Sequence, residues 1–163
     1  MTRDGDTLKV MFRLLAALLV FLPTLALAEI AGTAFVIDGD TLEINGERIR
    51  LHGIDAPEHL QLCRLNDKPW RCGEAATKAL AGKIGHRRVT CHELDRDRYG
   101  RVIAKCAVVG ADLGEWLTLN GWAVAYRFFS YDYTRAEQRA KSARRGIWAG
   151  SFQVPWEWRR GKR

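Results

Sequence analysis

Two short stretches of this chain carry acids at spacings that could do chemistry. In Asp38-Gly39-Asp40-Thr41 a glycine separates two carboxylates, and in Gly53-Ile54-Asp55-Ala56-Pro57-Glu58 two more follow closely. An aspartate, any residue and an aspartate also open an EF-hand calcium loop. Here, however, Leu42 fills the next ligand position and no glycine follows where that loop must turn. The glycine instead marks a tight turn that projects a carboxylate. The second stretch follows Arg48-Ile49-Arg50-Leu51, where strand alternation puts both arginines on one face and the apolar pair on the other. If the two stretches are adjacent strand ends, Asp40, Asp55 and Glu58 converge beside Arg50, and Arg101 supplies a second outward guanidinium. Singly, each acid reads as a turn former. Together with two arginines they form a cluster that a structural turn does not need. Hard carboxylate oxygens bind Ca²⁺ or Mg²⁺ and leave coordination positions for water and phosphate. A carboxylate not saturated by metal polarises an attacking water, and guanidinium forks match phosphate oxygens. Phosphodiester hydrolysis is the chemistry this set supports.

Charge points the same way. The 163 residues hold 26 Lys plus Arg against 19 Asp plus Glu, a net charge of +7, with a pI near 9.5. Such a field attracts polyanions before any specific contact forms. At 47% hydrophobic the chain is too apolar for disorder, and its length suits one domain with its own core. The first 28 residues differ from the rest. Arg3, Lys9 and Arg13, with Asp4 and Asp6, precede an unbroken apolar run from Leu14 to Leu22, then Pro23 and an Ala26-Leu27-Ala28 end. This is the layout of a secretory signal peptide cut near Ala28. Leu14 to Ala28 is 15 residues, short of the roughly 20 that span a bilayer. Met11 would begin a tidier signal than Met1. The expectation is an exported protein, periplasmic or secreted, with no stable membrane anchor after cleavage.

The elements that must position the cluster are legible by pattern. Ala31 to Ile37 is strand-like, and Leu42 to Ile44 and Glu47 to Leu51 flank Asn45-Gly46, a strong hairpin signal. Glu58 to Cys72 lacks periodicity and holds Pro69, so it reads as a loop. Gly73 to Ile84 reads as a helix with Ala76, Leu80 and Ile84 on its buried stripe. Arg88 to Glu93 and Val102 to Val109 read as strands around Asp95 to Arg101. Asp112 with Glu115 forms a capping box for a helix ended by Asn120-Gly121. Thr134 with Glu137 reads as a second capping box, for a helix running to Arg145 with a basic, solvated face. The tail from Trp148 to Arg163 holds three of the six Trp and is expected to pack back on the domain, its basic end frayed. Five strands with interspersed helices suggest a small, partly open barrel in a mainly β, α+β chain.

All four cysteines lie beyond the leader, and an even count in an exported chain reads as two disulfides. A zinc site is the weaker reading, because there is no Cys-x-x-Cys pair. A symmetric hairpin centred on Arg98-Tyr99 sets Cys91 opposite Cys106, within reach of a disulfide. Cys63 and Cys72 would then close the irregular loop. Three connectivities are possible in all.

The sequence resembles the staphylococcal (micrococcal) nuclease, or thermonuclease, family. The resemblance rests on VIDGDT (Val36 to Thr41), RLHGIDAPE (Arg50 to Glu58), DRYGR (Asp97 to Arg101) and RRGIW (Arg144 to Trp148), in order, over roughly Ala31 to Trp148. It implies an OB-type five-stranded barrel with about three helices, a nuclease-like domain over 29–150 and a basic, Trp-containing tail over 151–163. It implies Asp40, Asp55 and the Ala56 carbonyl as ligands of Ca²⁺. Glu58 would be the general base, and Arg50 and Arg101 the phosphate-binding arginines. Arg98 and Tyr99 would hold the nucleotide's other phosphate, and Tyr126 would sit in the base pocket. Such enzymes cleave DNA and RNA endonucleolytically and leave 3′-phosphate ends. Departures are Ala56 for the usual Thr, Arg98 for a Lys, and Phe128 where a second Tyr often stands. The Cys63 to Cys72 loop is also without counterpart in the cysteine-free founding member.

Two rivals remain. A non-catalytic nucleic-acid-binding OB fold would use a basic groove and stacking aromatics such as Tyr99, Tyr126 and Phe128. It gains nothing from three carboxylates that repel phosphate. A basic structural domain of the cell envelope would be indifferent to nucleic acid and calcium. Nothing in the sequence requires more than a monomer.

Overall fold

The computed structural model describes residues 29–161. The expected leader up to Ala28 and the final Lys162-Arg163 lie outside the described residues. Strands β1 (Glu29–Val36), β2 (Thr41–Ile44) and β3 (Glu47–Leu51) form an antiparallel meander. The β2–β3 turn is Asn45-Gly46, both with positive φ (53° and 84°), as a two-residue hairpin demands. Short β4 (Ile54–Asp55) follows at once. The stretch read as a loop holds a small hairpin, β5 (Cys63–Leu65) and β6 (Lys68–Trp70). Its turn, Asn66-Asp67, again has positive φ at both positions (49° and 59°). These two residue types tolerate that region, and an exposed two-stranded ribbon needs no apolar alternation.

Helix α1 (Cys72–Ile84) buries Ala76, Leu80 and Ile84, the expected stripe. Strands β7 (Arg88–Arg96) and β8 (Val102–Val108) pair antiparallel, and β8 adds the short β9 (Ala111–Asp112). The barrel closes where β3 pairs parallel with β8, Ile49 to Val102 through Leu51 to Ala104. It is therefore closed rather than partly open. β1, β2, β3, β8 and β7 form a five-stranded ring of the OB type. Leu42, Ile44, Ile49, Leu51, Val89, Val102, Ala104 and Val108 fill it.

Helix α2 (Leu113–Leu119) is capped by Asp112, whose side chain accepts from the Glu115 amide at 2.8 Å. The second capping box does not form. Helix α3 (Thr134–Ser142) begins after Tyr133 with no side-chain cap, and the Thr134 hydroxyl is buried without a hydrogen bond. Glu137 has been taken instead by tertiary partners. It is buried and accepts from the Ala125 amide (3.1 Å), Arg127 (2.5 Å) and Lys141 (3.1 Å). The helix also ends three residues before Arg145. Strand β10 (Val124–Ala125) pairs with β4, and a 3₁₀ turn (Gly146–Ala149) leads to α4 (Pro155–Gly161).

The disulfides join Cys63 to Cys72 and Cys91 to Cys106, as the hairpin argument favours. Cys91 and Cys106 are directly opposed on β7 and β8. Cys63 and Cys72 belong to a second, smaller core with Val124 and Ile147, edged by Trp70, Trp148, Phe152 and Trp156. Among the described residues no helix is long and apolar enough to cross a membrane. The Cys91–Cys106 bridge spans a separation of 15 residues. A closed loop of that size restricts the unfolded chain by about 3 kcal/mol. Urea unfolding of the Cys91→Ser/Cys106→Ser double variant is expected to show a loss of that order. An unchanged midpoint would mean that the β7–β8 ladder alone accounts for the stability.

Candidate active site

The turn Asp38-Gly39-Asp40 enters β2 at the barrel rim. Asp38 Oδ1 accepts from the Asp40 amide at 3.0 Å and holds the turn tight. Gly39 is needed because a Cβ there would lie 2.7 Å from the Ala56 Cβ and 3.0 Å from the Ala76 Cβ. That close approach brings Asp40 against the segment after β4. There the Ala56 amide donates to Asp40 Oδ2 at 2.9 Å. Asp40 and Asp55 are almost sealed from solvent, at 3% and 0% exposure.

Arg50 lies opposite Thr41 in the β2–β3 register. Its fork bridges the two buried acids, Nη1 to Asp40 Oδ1 at 2.6 Å and Nη2 to Asp55 Oδ1 at 2.7 Å. Burial works against the charge on Arg50, but the two aspartates outweigh it and its pKa is raised. Burial likewise pushes the Asp55 carboxyl above the usual carboxylate range, against the pull of Arg159 and Arg50. Asp38, part-buried beside the Asp40 charge, is pushed up to about 6.

Glu58 follows Pro57 on a loop pinned from three sides. The Gln61 amide donates to the Glu58 carbonyl at 2.7 Å, and the Gln61 side chain accepts from the Glu58 amide at 3.2 Å. The first turn of α1 presses on the same carbonyl, so a Cβ on Gly73 would fall 1.8 Å from it. The third restraint is Arg159, from α4. It meets Asp55 through Nη1 and Nη2, each at 3.0 Å, and Glu58 Oε1 through Nη1 at 2.5 Å.

Arg101 comes from the β7–β8 turn. The register slips by one between Glu93 and Asp95. The turn therefore closes on Asp97 and Arg101 rather than symmetrically about Arg98-Tyr99. The Asp97 amide donates to the Arg101 carbonyl, and Asp97 Oδ2 accepts from Arg101 Nε at 2.7 Å. The Tyr99 and Arg101 amides both donate to Asp97 Oδ1. Asp97 thus aims Arg101 while the exposed Arg98 stands over the Tyr99 ring at 5.0 Å.

A cleft of about 930 Å³, ample for a nucleotide-sized group, is lined by Asp40, Arg50, Ala56, Glu58, Arg98, Tyr99, Arg101, Tyr126 and Arg159. It therefore gathers nearly all the residues that the sequence singled out, with Asp55 buried behind Arg50. Phe128 is 82% exposed and outside the lining, whereas its neighbour Phe129 is within it. Tyr126 reaches the cleft because β10 pairs with β4 and the Tyr126 amide donates to the Gly53 carbonyl. Sequence reasoning missed Arg159 and also Trp156, which stacks on Tyr126 at 5.2 Å with an 11° tilt. The available signal was the spacing of Trp156 and Arg159, one helical turn apart after Pro155, which puts both on one face.

Among the described residues no three His, Cys, Asp or Glu side chains are grouped as a metal cage. Two acids do face one cationic position, where guanidiniums supply the charge. The groups that converge there, the Asp40 and Asp55 carboxylates and the Ala56 carbonyl, are oxygen donors. They fit a weakly held hard cation and not a soft metal.

Buried carboxylates and arginines gathered in one rim cleft of a closed OB-type barrel suit the chemistry of phosphate-ester hydrolysis. Comparisons give that chemistry its family. The profile described as staphylococcal nuclease homologue matches residues 48–150, and the chain belongs to the staphylococcal nuclease family. It is 42% identical over 139 residues to the succinoglycan biosynthesis protein ExoI of Rhizobium meliloti (strain 1021), covering 82% of this chain and 72% of that one. It is 31% identical over 135 residues to an uncharacterized endonuclease of Escherichia coli (78% and 82%). It is 36% identical over 121 residues to the probable staphylococcal-like nuclease CAN1 of Oryza sativa subsp. japonica, covering 71% of this chain and 33% of the plant protein. Family and relatives support a nuclease that acts on nucleic acid.

The raised Asp38 carboxyl has a stability consequence. Between its ordinary value of 3.8 and about 6, the folded state holds more protons at Asp38 than the unfolded state. Stability therefore falls as pH rises through that window. Asp38→Asn, studied in EDTA, is expected to be more stable than the parent at pH 8, with the gain shrinking towards pH 4. A difference independent of pH would show that Asp38 is not the titrating group.

Proposed function

We propose that the protein is an exported, calcium-dependent endonuclease that hydrolyses phosphodiester bonds of DNA, RNA or both and leaves 3′-phosphate ends. The observation that carries this reading is the convergence of Glu58, Arg50 and Arg101 on one cleft beside the buried Asp40–Asp55 pair. In the mechanism Glu58 takes a proton from water as the water oxygen attacks phosphorus in line. The bond from phosphorus to the 5′ oxygen breaks, and that oxygen takes a proton from solvent water to leave as a 5′-hydroxyl, while Glu58 returns its proton to solvent. Arg50 and Arg101 hold the non-bridging oxygens as charge grows on them. Asp40, Asp55 and the Ala56 carbonyl would hold Ca²⁺, which when bound polarises a phosphate oxygen. Arg98 and Tyr99 would meet a neighbouring phosphate, and Tyr126, with Phe128 or Phe129, a base. Phosphate contacts hold any sequence, which suits a degradative enzyme.

Two disulfides support export, after removal of Met1 to Ala28, to the periplasm or the medium. The reading takes 29–150 as the nuclease domain, 151–163 as its tail, and the working unit as a monomer.

Digestion of single- and double-stranded DNA and RNA by the oxidised protein, with Ca²⁺ or EGTA, tests the reading. Cleavage is expected only with Ca²⁺, and Glu58→Gln is expected to abolish it. Arg50→Ala or Arg101→Ala is expected to cost on the order of 10²–10³ in rate. Retention of near-parental rate by either would overturn their assignment. DNA retained on a gel yet never cut would leave a binding barrel. Two protein carboxylates make a weak site, so calorimetry without nucleotide is expected to give a calcium Kd in the range of about 10⁻⁴–10⁻³ M.

A further inference from the structure

Helix α4 brings a third guanidinium to the reacting groups from a segment 101 residues beyond Glu58 in sequence. We propose that Arg159 is a positioning residue of the reaction, holding Glu58 and Asp55 in their working geometry. The proposal rests on the reading of Glu58 as general base. Glu58 is about a third exposed at its side chain, 34%, so its own packing does not select one rotamer. Arg159 does, because one planar fork grips both acids. Nη2 meets Asp55 Oδ2, and Nη1 is shared between Asp55 Oδ1 and Glu58 Oε1. A planar fork fixes direction as well as distance. It also sets a positive charge between two carboxylates that would otherwise repel each other.

The helix that carries Arg159 is anchored as a wall of the site rather than laid over it. Arg64 and Ser151 exchange backbone hydrogen bonds at 2.8 and 2.9 Å. The fully buried Gln61, whose loop holds Glu58, donates through Nε2 to the Gln153 carbonyl at 2.6 Å. Pro155 is buried, and Trp156 lies flat on Tyr126. The Cys63–Cys72 hairpin and the tail share one small core. Base and guanidinium are thus braced by the same scaffold. The opposite sign is physically distinct: a tethered cation on Asp55 would compete with Ca²⁺ and hold activity down.

Arg159→Ala, Arg159→Gln and Arg159→Lys, made in the full oxidised chain, separate these cases. The readouts are kcat and KM on DNA with Ca²⁺, calcium affinity by calorimetry, and folded fraction by near-UV circular dichroism. The Ala and Gln variants are expected to lose roughly 10–100-fold in kcat, the scale of orienting contacts behind reacting groups, with KM near the parental value. Lys is expected to recover part of the rate, since it restores the charge but not the fork. In the Ala and Gln variants calcium affinity is expected to be unchanged or tighter, because a cation is removed from both oxygens of Asp55 while kcat still falls. An unchanged kcat, a faster enzyme with tighter calcium, or a loss that merely tracks folded fraction each overturns the proposal. If Ala fails to fold, Gln and Lys carry the comparison. Cleavage by the unsubstituted protein in the same assay secures the underlying reading separately, and its absence removes both.

Discussion

The structure depends on keeping two carboxylates out of water. An ion moved from water to a protein interior is penalised by several kcal/mol even after relaxation. Asp40 and Asp55 endure that penalty side by side. Arg50 makes it tolerable, and its fork reaches both only if three segments meet at one corner of the barrel. The β2–β3 register sets Arg50 opposite Thr41, the turn at Gly39 closes onto Ala56 and Ala76, and β4 leaves β3 without an intervening element. Packing and charge therefore specify each other at this rim. A larger residue at any of the three small positions would push the acids away from their counter-charge.

Local chemistry was legible where the signal was local. Asn45-Gly46, the alternation in Arg48 to Leu51, the stripe Ala76-Leu80-Ile84 and the Asp112 cap each follow from neighbours within a few residues, and each formed. The same reasoning failed where a distant group claimed the residue. Thr134 and Glu137 have the spacing of a capping box, yet Glu137 serves the amide of Ala125 and the cations of Arg127 and Lys141. The Cys63–Cys72 hairpin has an exposed, two-stranded pattern with Pro69 inside it, so periodicity could not report it. The slip between Glu93 and Asp95 turns on one extra residue in a ladder, which no pattern of apolar positions encodes.

The candidate site was legible to a greater extent than its support. Its acids and two arginines announce themselves by type and spacing, because phosphate chemistry admits few alternatives. Arg159 does not, since its partners are remote in sequence and its own neighbourhood reads as a basic tail. Asp40 and Arg159 both lie outside the stretch that matches the family profile, 48–150, and both line the same cleft. The chemistry is thus framed from both flanks of that stretch. The second small core is what allows the tail to contribute, by giving it apolar ground to stand on.

The parallel pairing of β3 with β8 ties residue 49 to residue 102, across more than fifty residues of intervening chain. Contacts so distant in sequence are reached slowly, because a long loop must be ordered before they form. Arg50 lies within that seam and Arg101 immediately precedes it. A chain with the seam still open has its acids, its arginines and its aromatics, but not in one place. Hydrolytic competence is then a property of the finished topology rather than of any segment. A nascent or partly unravelled chain carries its destructive chemistry disassembled.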